Sequence, residues 1–272
     1  MHAQQPIDIA VIGGSGMYEL IDEPEIRVVS TPYGAPSAGI AVGRFAGRTV
    51  AFLARHGSGH SLSPRRVPYR ANVWALASLG VRAVIATAAV GSLHPQLPPG
   101  QFVVPDQLLD RTGRIDDTFF EDVPQHLPFA DPFCPAIRAA LADGLSASGE
   151  AMTTVATTAV IRGPRFSTRA ESRALRAEGA DVVNMTQYPE AALAAELGLG
   201  YASLAFVTDA DAGPGSGSPV VTAETVLQRL SEARPRIVAV LDAAIRALPR
   251  DYAPRTLVPP EVVRTLLAGS PA

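Results

Sequence analysis

Hydrophobic positions in this chain fall into short runs broken by glycine and proline, and the runs are of two kinds. Residues 7–12, 48–53, 81–89 and 201–207 are nearly continuous apolar stretches, too short for helices. They predict strands buried on both faces, as in a parallel sheet. Residues 69–79, 135–145, 169–176, 190–197 and 222–248 instead repeat apolar positions every three or four residues, which predicts helices. Gly80, Gly179 and Gly198 close three of them, Pro135 stands near the start of one, and Thr222 is a candidate cap. Pro235 lies inside the longest pattern and predicts a kink or a break. Residues 101–105, 151–160 and 181–183 read as shorter strands, and Thr31-Pro32-Tyr33-Gly34 as a turn between two strands within 28–43. From Pro105 to Pro135 the pattern is irregular and holds Phe119, Phe120, His126, Phe129 and Phe133. An irregular stretch of that length points to a functional or interfacial role. Residues 211–217 are rich in Gly, Pro and Ser and are expected to be flexible, and 262–267 suit one or two last turns. Alternating strands and helices with no dividing linker predict one α/β domain over 1–272, with helices on both faces of a mostly parallel or mixed sheet. Residues 253–272 are peripheral to it.

Composition narrows the function more than the fold. Apolar residues make up 47% of the 272 and charged residues 18%, so a full core is available. The net charge of −3 provides no basic field for nucleic acid or an anionic membrane. The single cysteine, Cys134, allows no intrachain disulfide and no multi-cysteine metal site. The N-terminus lacks a secretory pattern and no run of about 20 apolar residues occurs, so a soluble cytoplasmic protein is expected.

Three places along the chain carry candidate chemistry. The first strand delivers Gly13-Gly14-Ser15-Gly16, a turn where backbone N–H groups and a hydroxyl can meet an anion. The dinucleotide fingerprint fails at Glu19, and the chain has no lysine for a phosphate-loop motif, so an ordinary strand-to-helix turn stays open. Arg55-His56 follows another strand and offers a planar fork of donors to phosphate, with an exposed basic loop as the alternative. Asp209 and Asp211 follow the last strand, where ligands of open α/β sheets gather. Two close carboxylates can hold one proton near neutrality or bind a hard cation, and a plain Asx turn is equally open. Arg165 or Arg169 can pair with Glu171, beside Phe166.

Several segments together resemble the trimeric purine nucleoside phosphorylase family, and most of all its methylthioadenosine branch. They are VIGGSG (11–16), TPYGAPS (31–37), FLARHG (52–57), VPYRANVWAL (67–76), AVGSL (89–93), PDQLLDRT (105–112), DPFCP (131–135), GPRFSTRAES (163–172), NMTQYPEAALAAELGL (184–199) and TDADAG (208–213). They occur in the family's order over residues 7 to about 247. The resemblance implies an α/β fold around a large mixed, partly closed β-sheet flanked by helices, and a homotrimer. It implies phosphorolysis of a purine nucleoside with inorganic phosphate as co-substrate and no metal or organic cofactor.

Carried over residue by residue, the resemblance puts phosphate contacts on Ser15, Arg55, His56, the backbone of Ala89, and Thr186. It puts the sugar contact on Met185, and the base and sugar lining on Phe166 and Ser167. The purine-reading carboxylates fall on Asp209 and Asp211, with Asp209 the chosen proton donor. Val226 and Leu227 enclose the 5′ substituent, and His126 reaches into the neighbouring subunit's pocket. One departure is Ala88, which stands where the family has a hydroxyl residue, although Thr87 is adjacent. The carboxylate pair favours a 6-amino purine, so 5′-methylthioadenosine is the expected substrate. A 6-oxopurine nucleoside phosphorylase acting on inosine, guanosine or methylthioinosine is the first alternative. A non-catalytic nucleotide-binding protein is the second.

Overall fold

The computed structural model describes residues 7–121, 124–212 and 220–269. The first third of the chain supplies β1 (Ile9–Gly13), β2 (Glu25–Arg27), β3 (Ile40–Phe45), β4 (Arg48–Ala54), α1 (Tyr69–Ser78) and β5 (Ala83–Ser92). The middle supplies β6 (Phe102–Val103), β7 (Gln107–Arg111), α2 (Pro135–Ala147), β8 (Met152–Thr153), β9 (Thr157–Ile161) and α3 (Arg169–Ala177). The rest is β10 (Val182–Asn184), α4 (Gln187–Glu196), β11 (Gly200–Asp209), α5 (Ala223–Ala247) and α6 (Pro260–Leu267).

The strands form one mixed sheet in the order β2-β3-β4-β1-β5-β10-β9-β7, and β11 leaves β5 to reach β6 and then β8. The apolar runs are continuous because this sheet is covered on both sides. Ile9 and Val11 of β1 face a core built with Ile137 and Leu141 of α2 and Ile237 and Leu241 of α5. Ala10 and Ile12 face the opposite core, with Val73 and Trp74 of α1 and Leu193 of α4. The period of two along the strand thus divides one apolar run between two cores. Helices α2 and α5 touch at Gly144, where a Cβ would come within 2.8 Å of the Val240 carbonyl oxygen. Helix α6 lies against α1, with the Trp74 indole N–H donating to the Leu266 carbonyl at 3.4 Å.

Several expectations shift. The irregular stretch from 105 to 135 contains β7, whose residues are all half-buried or exposed and so lack an apolar run to announce them. The strand expected over 151–160 is two strands, because β8 pairs with β6 while β9 pairs with β7 and β10. Between them Asp106 accepts from the Ala156 N–H and Asp181 from the Thr157 N–H, both at 2.8 Å, which fixes the change of neighbours. The expected break at Pro235 does not occur, and α5 runs as one helix of 25 residues. Pro235 and Ser231 both lie on its exposed face, so the carbonyl deprived of a donor is free to meet water, while Leu230, Ala233 and Ile237 anchor both halves in the core. Thr222 caps α5 as expected, accepting from the Thr225 N–H at 3.2 Å. The glycine-rich run expected to be flexible lies, from residue 213 on, outside the described residues. No helix among the described residues is long and apolar enough to cross a membrane.

Candidate active site

Strands β1, β4, β5 and β11 run parallel, so their carboxyl ends open on the same side of the sheet. A cavity of about 490 Å³ lies there. Its shape follows from β5, the longest strand in the middle of the sheet together with β11. One edge of β5 is paired with β11 over nearly its whole length. The other edge is paired with β1 only through Ala86 and with β10 only from Gly91. Between those ladders, residues 87–90 present an open backbone edge. The Thr87 carbonyl points into this gap, since it accepts from Arg55 Nη1 at 3.0 Å. The Val90 carbonyl points the other way, toward β11, with its oxygen 3.3 Å from the Thr208 hydroxyl oxygen. Backbone groups alternate sides along a strand, so Ala89 turns its N–H into the gap. The Ala89 N–H thus lies at the open edge of the strand, beside the cavity.

The glycine turn closes one end of this gap. The Gly14 N–H donates to the Thr87 hydroxyl at 2.9 Å. A Cβ on Gly14 would lie 2.5 Å from the Thr87 carbonyl oxygen and 2.9 Å from Arg55 Nη1. Glycine is required there for close approach, while Gly16 has φ +78° and needs it for the backbone conformation. Ser15 lines the cavity between them. The Thr87 hydroxyl is committed to Gly14 and does not line the cavity, so it does not replace the hydroxyl missing at Ala88.

Arg55 is buried and held as a fork against Glu190 of α4, with Nε to Oε1 at 2.6 Å and Nη2 to Oε2 at 2.8 Å. The Tyr201 hydroxyl also donates to Glu190, at 2.9 Å. Burial alone would lower the Arg55 pKa, but Glu190 outweighs it and the guanidinium stays charged. Three of its five N–H donors are engaged within the protein, which leaves two for an anion. His56 differs from the expectation of a second donor. Its Nδ1 lies 2.8 Å from the Leu62 carbonyl, which can only accept, so Nδ1 carries the hydrogen and Nε2 is the lone-pair nitrogen. Burial and then the Arg55 charge bring its pKa down to about 3, so the ring is neutral. It stacks on His60 at 4.5 Å across a turn in which Gly57 and Gly59 both have positive φ.

Asp209 ends β11 at a register shift that turns its carboxylate toward the cavity. Its Oδ2 accepts from the Thr208 hydroxyl at 2.7 Å and its Oδ1 from the Asp211 N–H at 2.9 Å. Burial raises its pKa despite these two bonds. Asp211 sits at φ +45°, is buried, and its Oδ2 has no partner. Gly91 makes room for the pair, because a Cβ there would fall 2.9 Å from Asp209 Oδ1.

The far wall comes from the loop before α3 and the turn after β10. Phe166 is partly exposed and Ser167 keeps a buried hydroxyl without a partner. Arg165 pairs with Glu171 at 2.6 Å, so the ion pair considered from the sequence forms beside the site. Met185 and Thr186 line the cavity, and so do Val226 and Leu227 from the first turn of α5. His126 is exposed and does not line the cavity of its own chain. Sequence reasoning missed Glu190, Asn184, Gly91 and Arg114. Arg114 donates to the Pro64 and Met185 carbonyls at 3.1 and 3.0 Å and so ties two cavity walls together. Among the described residues, no cluster of three or more His, Cys, Asp or Glu side chains forms a metal site.

Comparison with known proteins places this geometry. Residues 8–246 match the family model described as the phosphorylase superfamily. The S-methyl-5′-thioadenosine phosphorylase of Mycolicibacterium smegmatis is 56% identical over 213 residues, 78% of this chain and 80% of that protein. The purine nucleoside phosphorylase of Streptomyces coelicolor is 48% identical over 252 residues, 89% of each chain. The methylthioadenosine phosphorylase of Schistosoma mansoni, solved in complex with adenine, superposes with a TM-score of 0.85 at 34% identity, over 96% of this chain and 97% of that one. The chain belongs to the phosphorylase superfamily, in the nucleoside phosphorylase family whose motifs its sequence carries.

Proposed function

We propose that the protein cleaves 5′-methylthioadenosine with inorganic phosphate, giving adenine and 5-methylthioribose 1-phosphate. The observation that carries this is one cavity lined both by the residues of an anion cradle and by a buried carboxylate pair. The cradle is Ser15, the Ala89 N–H, Arg55 and Thr186. The pair is Asp209 and Asp211. The similarity to methylthioadenosine phosphorylases supports the choice of substrate.

The chemistry follows from where charge develops. As the bond from C1′ to N9 breaks, its electrons pass to the purine and C1′ gains positive character. A phosphate dianion held in the cradle stabilises that charge, and one of its oxygens forms the new bond to C1′. The purine leaves poorly as an anion. Asp209, whose raised pKa favours the protonated form, gives its proton to N7. Asp211 Oδ2, buried without a partner, accepts from the 6-amino group. His56 is neutral with its N–H turned to Leu62, so it shapes the cradle without adding a charge. Val226 and Leu227 offer an apolar surface to the methylthio group. The reaction needs a nucleophile and a proton donor, and no metal or organic cofactor is assigned. The proposed enzyme is a cytoplasmic homotrimer in which the exposed His126 closes a neighbour's pocket over the 5′ end.

The test is chromatographic detection of adenine from 5′-methylthioadenosine with and without phosphate. Release that depends on phosphate supports a phosphorylase. Release without phosphate, or binding without turnover, overturns it. A second reading, phosphorolysis of 6-oxopurine nucleosides, draws on the purine nucleoside phosphorylase of Streptomyces coelicolor. A higher kcat/KM for inosine or methylthioinosine than for the 6-amino substrate would select it.

A further inference from the structure

Among the described residues, six buried side-chain polar atoms have no hydrogen-bond partner, and three of them belong to residues that line the cavity described above. Asp211 Oδ2 and Ser167 Oγ are two, and the third is Asn184 Nδ2. Burying an unpaired donor is costly, so orphans gathered at one cavity mark what its ligand completes. Asn184 ends β10, one residue beyond the β5–β10 ladder and so next to the open edge of β5. Its amide orientation is set by the backbone. Oδ1 accepts from the N–H groups of Thr186 at 3.2 Å and Gln187 at 3.4 Å, and an amide nitrogen in that place would set donor against donor. Nδ2 is therefore fixed as the free end, on a side chain more than nine-tenths buried.

We infer that Asn184 is a specificity-determining residue whose amide N–H donates to a ribose hydroxyl oxygen of the nucleoside. This rests on the phosphorolysis reading above. The sugar is favoured over phosphate by supply. The cradle already holds two free Arg55 donors, the Ala89 N–H and the hydroxyls of Ser15 and Thr186, whereas the sugar side has Met185 and the lining residues Phe166 and Ser167, with no side-chain amide donor assigned. Asn184 adjoins Met185 in the chain and holds the turn that presents it. The Thr186 N–H is used by Asn184, so Thr186 serves phosphate through its hydroxyl.

The experiment compares kcat/KM for the ribonucleoside with that for its 2′-deoxy and 3′-deoxy analogues, at saturating phosphate. Wild type and the variants Asn184→Ala and Asn184→Ser are measured, with thermal unfolding as a check on folding. Serine can still accept from the N–H two residues on, so it keeps the local turn while losing the amide donor. Wild type should prefer the ribonucleoside over one deoxy analogue by about tenfold or more, and both variants should lose most of that preference. The KM for phosphate should stay within about twofold of wild type. A wild type that uses all three nucleosides equally overturns the inference before any variant is made. An unchanged ribo-to-deoxy preference in Asn184→Ser also overturns it, with or without a weaker phosphate KM. Failure of wild type to release base with phosphate would instead defeat the phosphorylase reading.

Discussion

Replacing Arg55 by Met while leaving Glu190 in place strands a carboxylate that is fully buried and keeps only the Tyr201 hydroxyl as a donor. Breaking a buried pair from one side costs about 3 to 5 kcal/mol. A chain of this size loses about 2 to 4 °C of Tm per kcal/mol, so Arg55→Met should unfold roughly 6 to 20 °C below wild type. The double variant Arg55→Met, Glu190→Gln removes both charges and keeps an acceptor for Tyr201. It should recover at least half of that loss, since an uncharged replacement avoids the uncompensated ion. Phosphate use should not recover with it. Loss of a charged partner to the bound anion typically costs about 2 to 5 kcal/mol, or about 30-fold and more in kcat/KM for phosphate, in both variants. Thermal unfolding at one fixed protein concentration and steady-state kinetics with varied phosphate measure the two effects separately. If the double variant regains phosphate use along with stability, Arg55 is not the anchor. If Arg55→Met loses less than about 1 kcal/mol, the pair is not desolvated as its burial implies.

Gly14→Ala forces a Cβ to 2.5 Å from a backbone oxygen that cannot swing away, so it should cost about 1 to 3 kcal/mol by urea unfolding and weaken phosphate binding. Asp209 acts when protonated and its pKa is raised, so kcat/KM should fall as pH rises through that value, and Asp209→Asn should lose about 10²- to 10⁴-fold together with that alkaline limb. His56 takes up its proton at about pH 3 when folded but at about 6.5 when unfolded, so the unfolded chain binds more protons between those values. Stability should therefore drop as pH falls below about 6.5, by up to about 1.4 kcal/mol per unit, and the His56→Gln variant should show a shallower drop by urea titration. Light scattering should give three chains per particle, and a fully active monomer would remove both the trimer and the shared role of His126.

What the sequence made legible is what lies within a few residues of a strand end. Ser15, Arg55 and Asp209 could be picked out because an apolar run followed by glycine, arginine or aspartate marks the carboxyl end of a strand, and parallel strands bring those ends together. Glu190 could not be picked out in the same way, because its partner Arg55 lies 135 residues earlier. A weak signal existed, since an acid inside the apolar stretch YPEAALAAEL needs a buried cation to face. Arg114 had no such signal, because its partners are the Pro64 and Met185 carbonyl oxygens and the ring and hydroxyl of Tyr69, the nearest of them 45 residues away in the chain. For His56 the residue type was legible and the direction of its hydrogen was not, as that depends on the carbonyl of Leu62 across a turn. Strand β7 stayed hidden because its side chains are half-buried, so its pairing is a matter of backbone alone.

The open edge of β5 also makes a statement about exchange with solvent hydrogen. Along residues 87–90 one side of the strand is zipped to β11 and the other faces the cavity. The amides of Ala88 and Val90 point into the zipped side and should exchange with deuterium only when the sheet itself opens. The amide of Ala89, between them, should exchange much faster in the empty protein and slow when phosphate is bound. A single strand would then carry one ligand-sensitive amide flanked by two insensitive ones. Because the responding group is main chain held by an intact ladder, Ala89→Pro is the one substitution at that position that would delete it.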